Sequence, residues 1–167
     1  MGVDLQALAA RRDDVAARAE LVTGVHHVVR RYCRALIGRS GHGFGPADEL
    51  AEQLARTILR EHHDEFGGPV PAEAIVYSGM APAVSRVLRD RLPPPQVGGS
   101  LSPERVHHQL CRLPPRSRDV LVLRAFVGMT SEQAGRALGL TPDAVLQEQR
   151  RALSCLRSPS ITPGPDA

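Results

Sequence analysis

Between Leu113 and Arg157, the residues that start and stop helices leave room for three short helices in close succession and for little else. Pro114 and Pro115 open the first, since proline is tolerated at a helix start and not inside. Val120, Leu121, Leu123 and Arg124 carry that helix, and Gly128 ends it. Thr130 or Ser131 caps the second, with Glu132 and Gln133 in its first turn. Ala134, Ala137 and Leu138 give it an apolar stripe at helical spacing. Gly139 supplies a positive-φ stop, Leu140 fills the corner, Thr141 caps the third helix and Pro142 takes its first position. Gly135 is small where two helices must approach, and Val145 falls on the buried side of the third helix. A helix, a glycine turn and a second helix make a helix-turn-helix, although the same pattern also fits an ordinary helical hairpin of a bundle.

The rest of the composition agrees with helices. Aromatic residues make up 3% of the chain and Trp is absent, so any core must be built mostly from Leu, Val and Ala. With 167 residues there is room for one medium domain or two small ones. The net charge of +3 is compatible with nucleic acid without requiring it. All the Lys+Arg positions are Arg, which reads as coding bias before it reads as phosphate binding. Cys33, Cys111 and Cys155 show no zinc spacing, and their odd number argues against a disulfide framework. No apolar run reaches membrane length and no signal peptide opens the sequence, so a soluble, cytoplasmic protein is expected, with no membrane partner.

Ahead of residue 113, helical periodicity predicts one helix from Met1 to about Leu21 and a second from Leu21 through Ile37. A glycine loop follows over Gly38–Gly45. Pro46 then starts a helix to about His63, with Leu50, Leu54, Ile58 and Leu59 as its inner face. Ala72 to Arg91 is a fourth pattern, which Pro82 should kink or break. Pro93-Pro94-Pro95 and Gly98-Gly99-Ser100 mark a boundary that is stiff and then slack. A helix from about Glu104 to Arg112 leads into the last unit. The expectation is an all-α chain of two small helical domains: 1–92, a Pro/Gly-rich linker over 93–103, a helix-turn-helix domain over 104–157, and a disordered tail over 158–167.

Leu113-Pro114-Pro115-Arg116-Ser117-Arg118-Asp119-Val120-Leu121-Val122-Leu123-Arg124, followed by Gly128-Met129-Thr130-Ser131-Glu132-Gln133-Ala134, resembles the C-terminal domain of bacterial RNA polymerase sigma factors of the extracytoplasmic-function (ECF) type. The Leu-Pro opening, the Gly-Met-Thr turn and the helix-turn-helix occur in the family's order and spacing over residues 113–157. The N-terminal half is similar more loosely, through Tyr32-Cys33-Arg34-Ala35, the glycine loop and Ala47-Asp48-Glu49-Leu50-Ala51-Glu52-Gln53-Leu54, where the family's Gln-Glu pair appears reversed. The resemblance implies a protein that binds core RNA polymerase and starts transcription at specific promoters, with double-stranded promoter DNA as a second partner and an anti-sigma factor as a third. It implies that the last helix docks in the major groove of the −35 element and that the acidic helix grips the polymerase. No cofactor, metal or catalytic residue is implied.

On that reading Thr141, Asp143, Leu146, Gln147, Arg150 and Arg151 are the DNA-facing positions. Arg150 and Arg151 suit phosphate or guanine, and Gln147 suits adenine. Leu146 and Glu148 stand where the family commonly has Lys or Arg, and a carboxylate near the DNA backbone weakens binding. Asp48, Glu49, Glu52 and Gln53 are the polymerase-facing positions; taken alone, the acidic residues among them also fit a solvated face. The helix at Tyr77–Arg91 occupies the place that captures and melts the −10 element, yet it carries Pro82 and Ala83 and no Trp is available. Strand capture stacks bases on aromatic rings, so the alternative is a degenerate sigma-like regulator that binds proteins without melting DNA.

Three histidine doublets, His26-His27, His62-His63 and His107-His108, make poor chelators singly, because adjacent helical residues point about 100° apart. Ser40-Gly41-His42-Gly43-Phe44-Gly45 follows a helix and not a strand, so it is a flexible loop and no phosphate cradle. No Ser-His-Asp spacing or paired-Cys site suggests an enzyme.

Overall fold

The computed structural model describes residues 3–11, 13–40, 43–91 and 103–157. Its helices are α1 (Leu5–Ala9), α2 (Val15–Ile37), α3 (Gly45–Glu61), α4 (Ala72–Arg91), α5 (Pro103–Arg112), α6 (Pro115–Leu121), α7 (Ser131–Leu138) and α8 (Pro142–Arg157). The all-α expectation holds. Residues 93–102 of the expected linker and the expected tail over 158–167 lie outside the described residues.

The first expected helix is in fact two. The Asp4 carboxylate accepts from the Ala7 amide at 3.2 Å and caps α1. The Asp14 carboxylate accepts from the Ala16 amide at 2.9 Å and caps α2, which therefore begins at Val15 and not at Leu21. An aspartate side chain competes with the helix ladder for backbone N–H groups, so it starts a helix where apolar periodicity alone would run on.

Helices α2 and α3 form an antiparallel hairpin, in which His26 lies opposite Glu52 and Arg34 opposite Asp48. The inner face of α3 is Ala47, Ala51, Ala55 and Ile58. Of the four residues expected there, Leu50, Leu54 and Leu59 are only partly buried. The alanine stripe lets the two helices come close, and the leucines cover the flanks of the seam. Helix α4 runs unbroken through Pro82, so the expected break is absent. Pro82 is exposed, and the Ser78 carbonyl that loses its helical donor belongs to an exposed residue where solvent can replace it.

In the second half, α6 continues into a π-helical turn over Val122–Val127 that ends at Gly128 in the left-handed region, φ +87°. Nothing in the sequence announces the π turn. Its side chains explain it in part: Val122, Leu123 and Val127 are all buried, and the wider turn keeps them on the core side. The π turn lies on α2, α7 lies on α4, and α8 packs across α6 and α7. The result is one continuous apolar cluster from Leu5 to Ala152, shared by both halves of the chain.

Candidate nucleic-acid interface

The three-helix unit closes as its punctuation predicts. Thr130 caps α7 in a capping box: its hydroxyl accepts from the Gln133 amide at 3.2 Å, and its own amide donates to Gln133 Oε1 at 2.9 Å. Gly139 ends α7 with φ +65°, a conformation open to glycine and strained for other residues. The Thr141 hydroxyl accepts from the Ala144 amide at 3.3 Å and caps α8, with Pro142 at its first position. A side-chain carbon at Gly135 would lie 2.6 Å from the Leu140 carbonyl oxygen. The small residue is therefore required by the backbone of the turn, which is closer than any neighbouring helix side chain. Val145 is buried, as expected.

Helix α8 presents Asp143, Gln147, Arg150 and Arg151 to solvent, with Thr141 exposed at its cap. Leu146 is half-buried and less outward than expected. The exposed donors of Gln147, Arg150 and Arg151 fall on successive turns of one helix, an arrangement suited to phosphates and base edges. Glu148 does not project into that surface. Its carboxylate accepts from the Ser117 hydroxyl at 2.8 Å, across to α6, and pairs with Arg151 at 2.9 Å. The residue that looked repulsive toward DNA thus braces α8 on α6, and its spacing to Arg151 was the available signal. Arg124 reaches from the π turn to Gln149 at 3.2 Å and to the Met129 carbonyl, fixing α8 from the other side.

On the first half, Glu49 and Gln53 point to solvent from α3. Asp48 and Glu52 turn toward α2 and are partly engaged. Both Asp48 oxygens accept from Arg34 at 2.7 Å, and Glu52 lies 3.2 Å from His26 and 2.9 Å from Arg56. The Arg34 hydrogen bonds hold the Asp48 carboxyl below the usual carboxylate range. Phe44 lies against two guanidinium groups, those of Arg34 and Arg39, with centroid distances of 5.1 and 5.7 Å.

Among the polar contacts that join the halves, those around Asp119 and between Arg136 and Glu73 were not legible in the sequence. Asp119 on α6 accepts from the Tyr32 hydroxyl of α2 at 3.0 Å and the Tyr77 hydroxyl of α4 at 2.6 Å, with Arg118 beside it at 3.1 Å. Burial, with the Asp119 charge next to them, pushes both phenols well above their ordinary range. Arg136 on α7 donates twice to Glu73 of α4, at 2.8 and 3.1 Å, and the Glu73 side chain is 0% exposed. These partners lie 42 to 87 residues apart along the chain, so no local pattern could mark them.

The histidine doublets do not converge. His26 faces Glu52, His62 faces Glu65 at 2.7 Å, and His107 sits 3.2 Å from the Ala35 carbonyl. No helix among the described residues is long and apolar enough to cross a membrane.

Residues 110–158 match the family model for sigma-70, region 4. Over 87% of its length the chain is 30% identical to the ECF RNA polymerase sigma factor ShbA of Streptomyces griseus, covering 88% of that protein. It is 29% identical over 90% of its length to the ECF RNA polymerase sigma factor SigD of Mycobacterium tuberculosis, covering 80% of that one. Among solved structures it is similar to a chain of the structure of CnrH in complex with the cytosolic domain of CnrY, with a TM-score of 0.55, 26% identity, and coverage of 91% of this chain and 92% of that one.

Proposed function

The chain belongs to the ECF RNA polymerase sigma factors, and from that premise we propose how its surfaces divide the work. It binds core RNA polymerase and directs promoter-specific initiation of transcription. Helix α8 reads the −35 element through Gln147, Arg150 and Arg151, with Asp143 and the Thr141 cap at its entry and Leu146 at the edge of the contact. Helix α3 meets the polymerase through Glu49 and Gln53, and Asp48 and Glu52 shape that surface while paired to α2. The single observation that carries the reading is a capped, buried-backed helix-turn-helix whose last helix leaves an amide and two guanidinium groups facing outward. The protein is a cytoplasmic regulator and not an enzyme. The likeness to CnrH, solved with the cytosolic domain of CnrY, supports a further protein partner of the anti-sigma kind.

A second reading draws on the aromatic residues. Tyr32 and Phe66 are buried, Tyr77 is hydrogen-bonded to Asp119, and Phe126 is the large aromatic side chain left exposed among the described residues. Helix α4 therefore offers no free ring for a flipped base, which favours a sigma-like regulator that does not melt DNA.

Co-purification with core polymerase, followed by run-off transcription on the host's promoters, separates the two. Specific transcripts support the first reading, and binding without transcripts supports the second. Arg150→Glu is expected to weaken binding to −35 DNA by more than about 1 kcal/mol, beyond the roughly 0.5 kcal/mol usual for a surface change. Unchanged affinity in a gel-shift titration removes α8 from the interface.

A further inference from the structure

We propose that residues 3–9 are a strap that holds the helix-turn-helix against the first half of the chain, and that this strap must leave α7 before both promoter contacts can form. The geometry stands independently of the sigma-factor reading; the consequence for promoters rests on it. The strap grips α7 at two points one turn apart. The Gln133 side-chain amide donates to the Val3 carbonyl at 3.2 Å, and the Arg136 guanidinium pairs with Asp4 at 3.3 Å. Because residues three apart share a helix face, both grips act from one side.

The other side of the strap is fixed to the first half. Gln6 Oε1 accepts from the Ala72 amide at the start of α4 at 2.8 Å. Leu5 and Ala9 are 0% exposed. A side-chain carbon at Gly24 would lie 2.8 Å from Leu5 and from Val3, so α2 has a seat shaped for this segment. The anchor is chiefly apolar and buried, while the grips on α7 are a single amide hydrogen bond from Gln133 and an ion pair, Arg136–Asp4, whose side chains are 33% and 53% exposed. The grips therefore release before the anchor does.

Release matters because of reach. Promoter elements centred near −35 and −10 lie roughly 25 base pairs apart, roughly 85 Å at 3.4 Å per step. A compact chain of this length has a radius of gyration of about 15 Å. With α7 on α4 and the strap across both, the closed body spans too little to touch the two elements together.

Spin labels on Arg60→Cys of α3 and on the native Cys155 of α8 measure the closure directly, since Cys33 and Cys111 are buried. Removing residues 1–10 is expected to lengthen and broaden the distance distribution. An unchanged distribution, in a chain that keeps its helical circular dichroism, overturns the strap. The deletion also strips Leu5 and Ala9 from the core, so a second variant covers the case in which the shortened chain does not fold. Asp4→Arg keeps Leu5 and Ala9 in place, gives up the Asp4 cap of α1 and sets a like charge against Arg136. Hydrogen exchange over Ser131–Leu138 is expected to speed up roughly three- to tenfold; unchanged exchange overturns the proposal. Core RNA polymerase added to the unaltered chain then tells this proposal apart from the functional reading. New protection on α3 with faster exchange in both Leu5–Ala9 and Ser131–Leu138 supports the strap. Protection on α3 with those two segments unchanged overturns it and leaves polymerase binding intact. No protection on α3 overturns polymerase binding, and the label distances still decide the strap.

Discussion

At the scale of single residues, the most consequential is Asp119. It satisfies two phenol hydroxyls and a guanidinium whose side chain is 9% exposed. Asp119→Ala leaves that cation buried without its partner, a loss of about 3 kcal/mol. The expected fall in melting temperature, read by circular dichroism, is roughly 6–12 °C for a chain of this size. A fall of less than about 2 °C would show that the cluster is solvated and not a joint. The cysteines give a second test. Burial first, and then the Asp48 charge, pushes the Cys33 thiol up to about 12, and burial raises Cys111 as well, while Cys155 is exposed. A disulfide reagent at neutral pH should titrate one thiol quickly and all three, Cys33, Cys111 and Cys155, only after denaturation. Rapid reaction of two would mean that α5 lifts away from the end of α2 in solution. The sequence shows why these residues divide as they do only where chemistry is local. The caps at Thr130 and Thr141 are legible, because a hydroxyl and the amide it accepts from lie within one turn. The role of Asp119 is not, because its meaning comes from tyrosines supplied by two distant helices.

At the scale of elements, the helix-turn-helix was the legible part and the N-terminal hairpin the harder one. Residues 113–157 carry a stop or start signal at every boundary, so their helices follow from glycine, proline and threonine. The α2–α3 seam is poorly marked because alanine, a weak hydrophobic signal, lines it where apolar periodicity points to leucine. Half of the placement of Glu148 was legible, through its i,i+3 spacing to Arg151, and half was not, since its other partner is the Ser117 hydroxyl of another helix. The outer edge of the hairpin is held by Arg34 and Asp48, and it has a definite pH dependence. The folded Asp48 carboxyl titrates below its unfolded value, chiefly through the Arg34 hydrogen bonds. Its contribution is therefore complete above the unfolded value of about 3.9 and is lost as pH falls through the lower folded one. Both side chains are more than a third exposed, at 42% and 36%, so solvent screening holds the contribution below about 1 kcal/mol. Asp48→Asn should remove that part of the acid dependence while leaving stability near pH 7 lower by the same small amount. Identical urea midpoints for the two proteins at pH 3 and at pH 7 would show that the pair adds nothing.

At the scale of the whole molecule, the sequence suggested two bodies, and the structure gives them a common core. The glycine- and proline-rich boundary near residues 93–100 is a real break in periodicity, but periodicity says nothing about whether two helical units touch. Contact is decided by surfaces: α7 against α4, the π turn against α2, and the polar joints at Asp119 and Arg136. Among the described residues no buried side-chain nitrogen or oxygen lacks a partner, so the seam is finished like an interior. One cooperative unfolding transition is expected by calorimetry, with equal calorimetric and van't Hoff enthalpies. Two resolved transitions would mean that the halves fold independently and meet only as neighbours.

The shared core also bears on how tightly such a protein holds a promoter. Two weak DNA contacts on one chain reinforce each other only when the second becomes intramolecular, at an effective concentration fixed by the span of the connecting segment. On the closure proposed above, that effective concentration is close to zero while α7 rests on α4, because the two sites then cannot engage together. The closed chain is therefore monovalent toward promoter DNA, and opening supplies avidity without adding a single new contact.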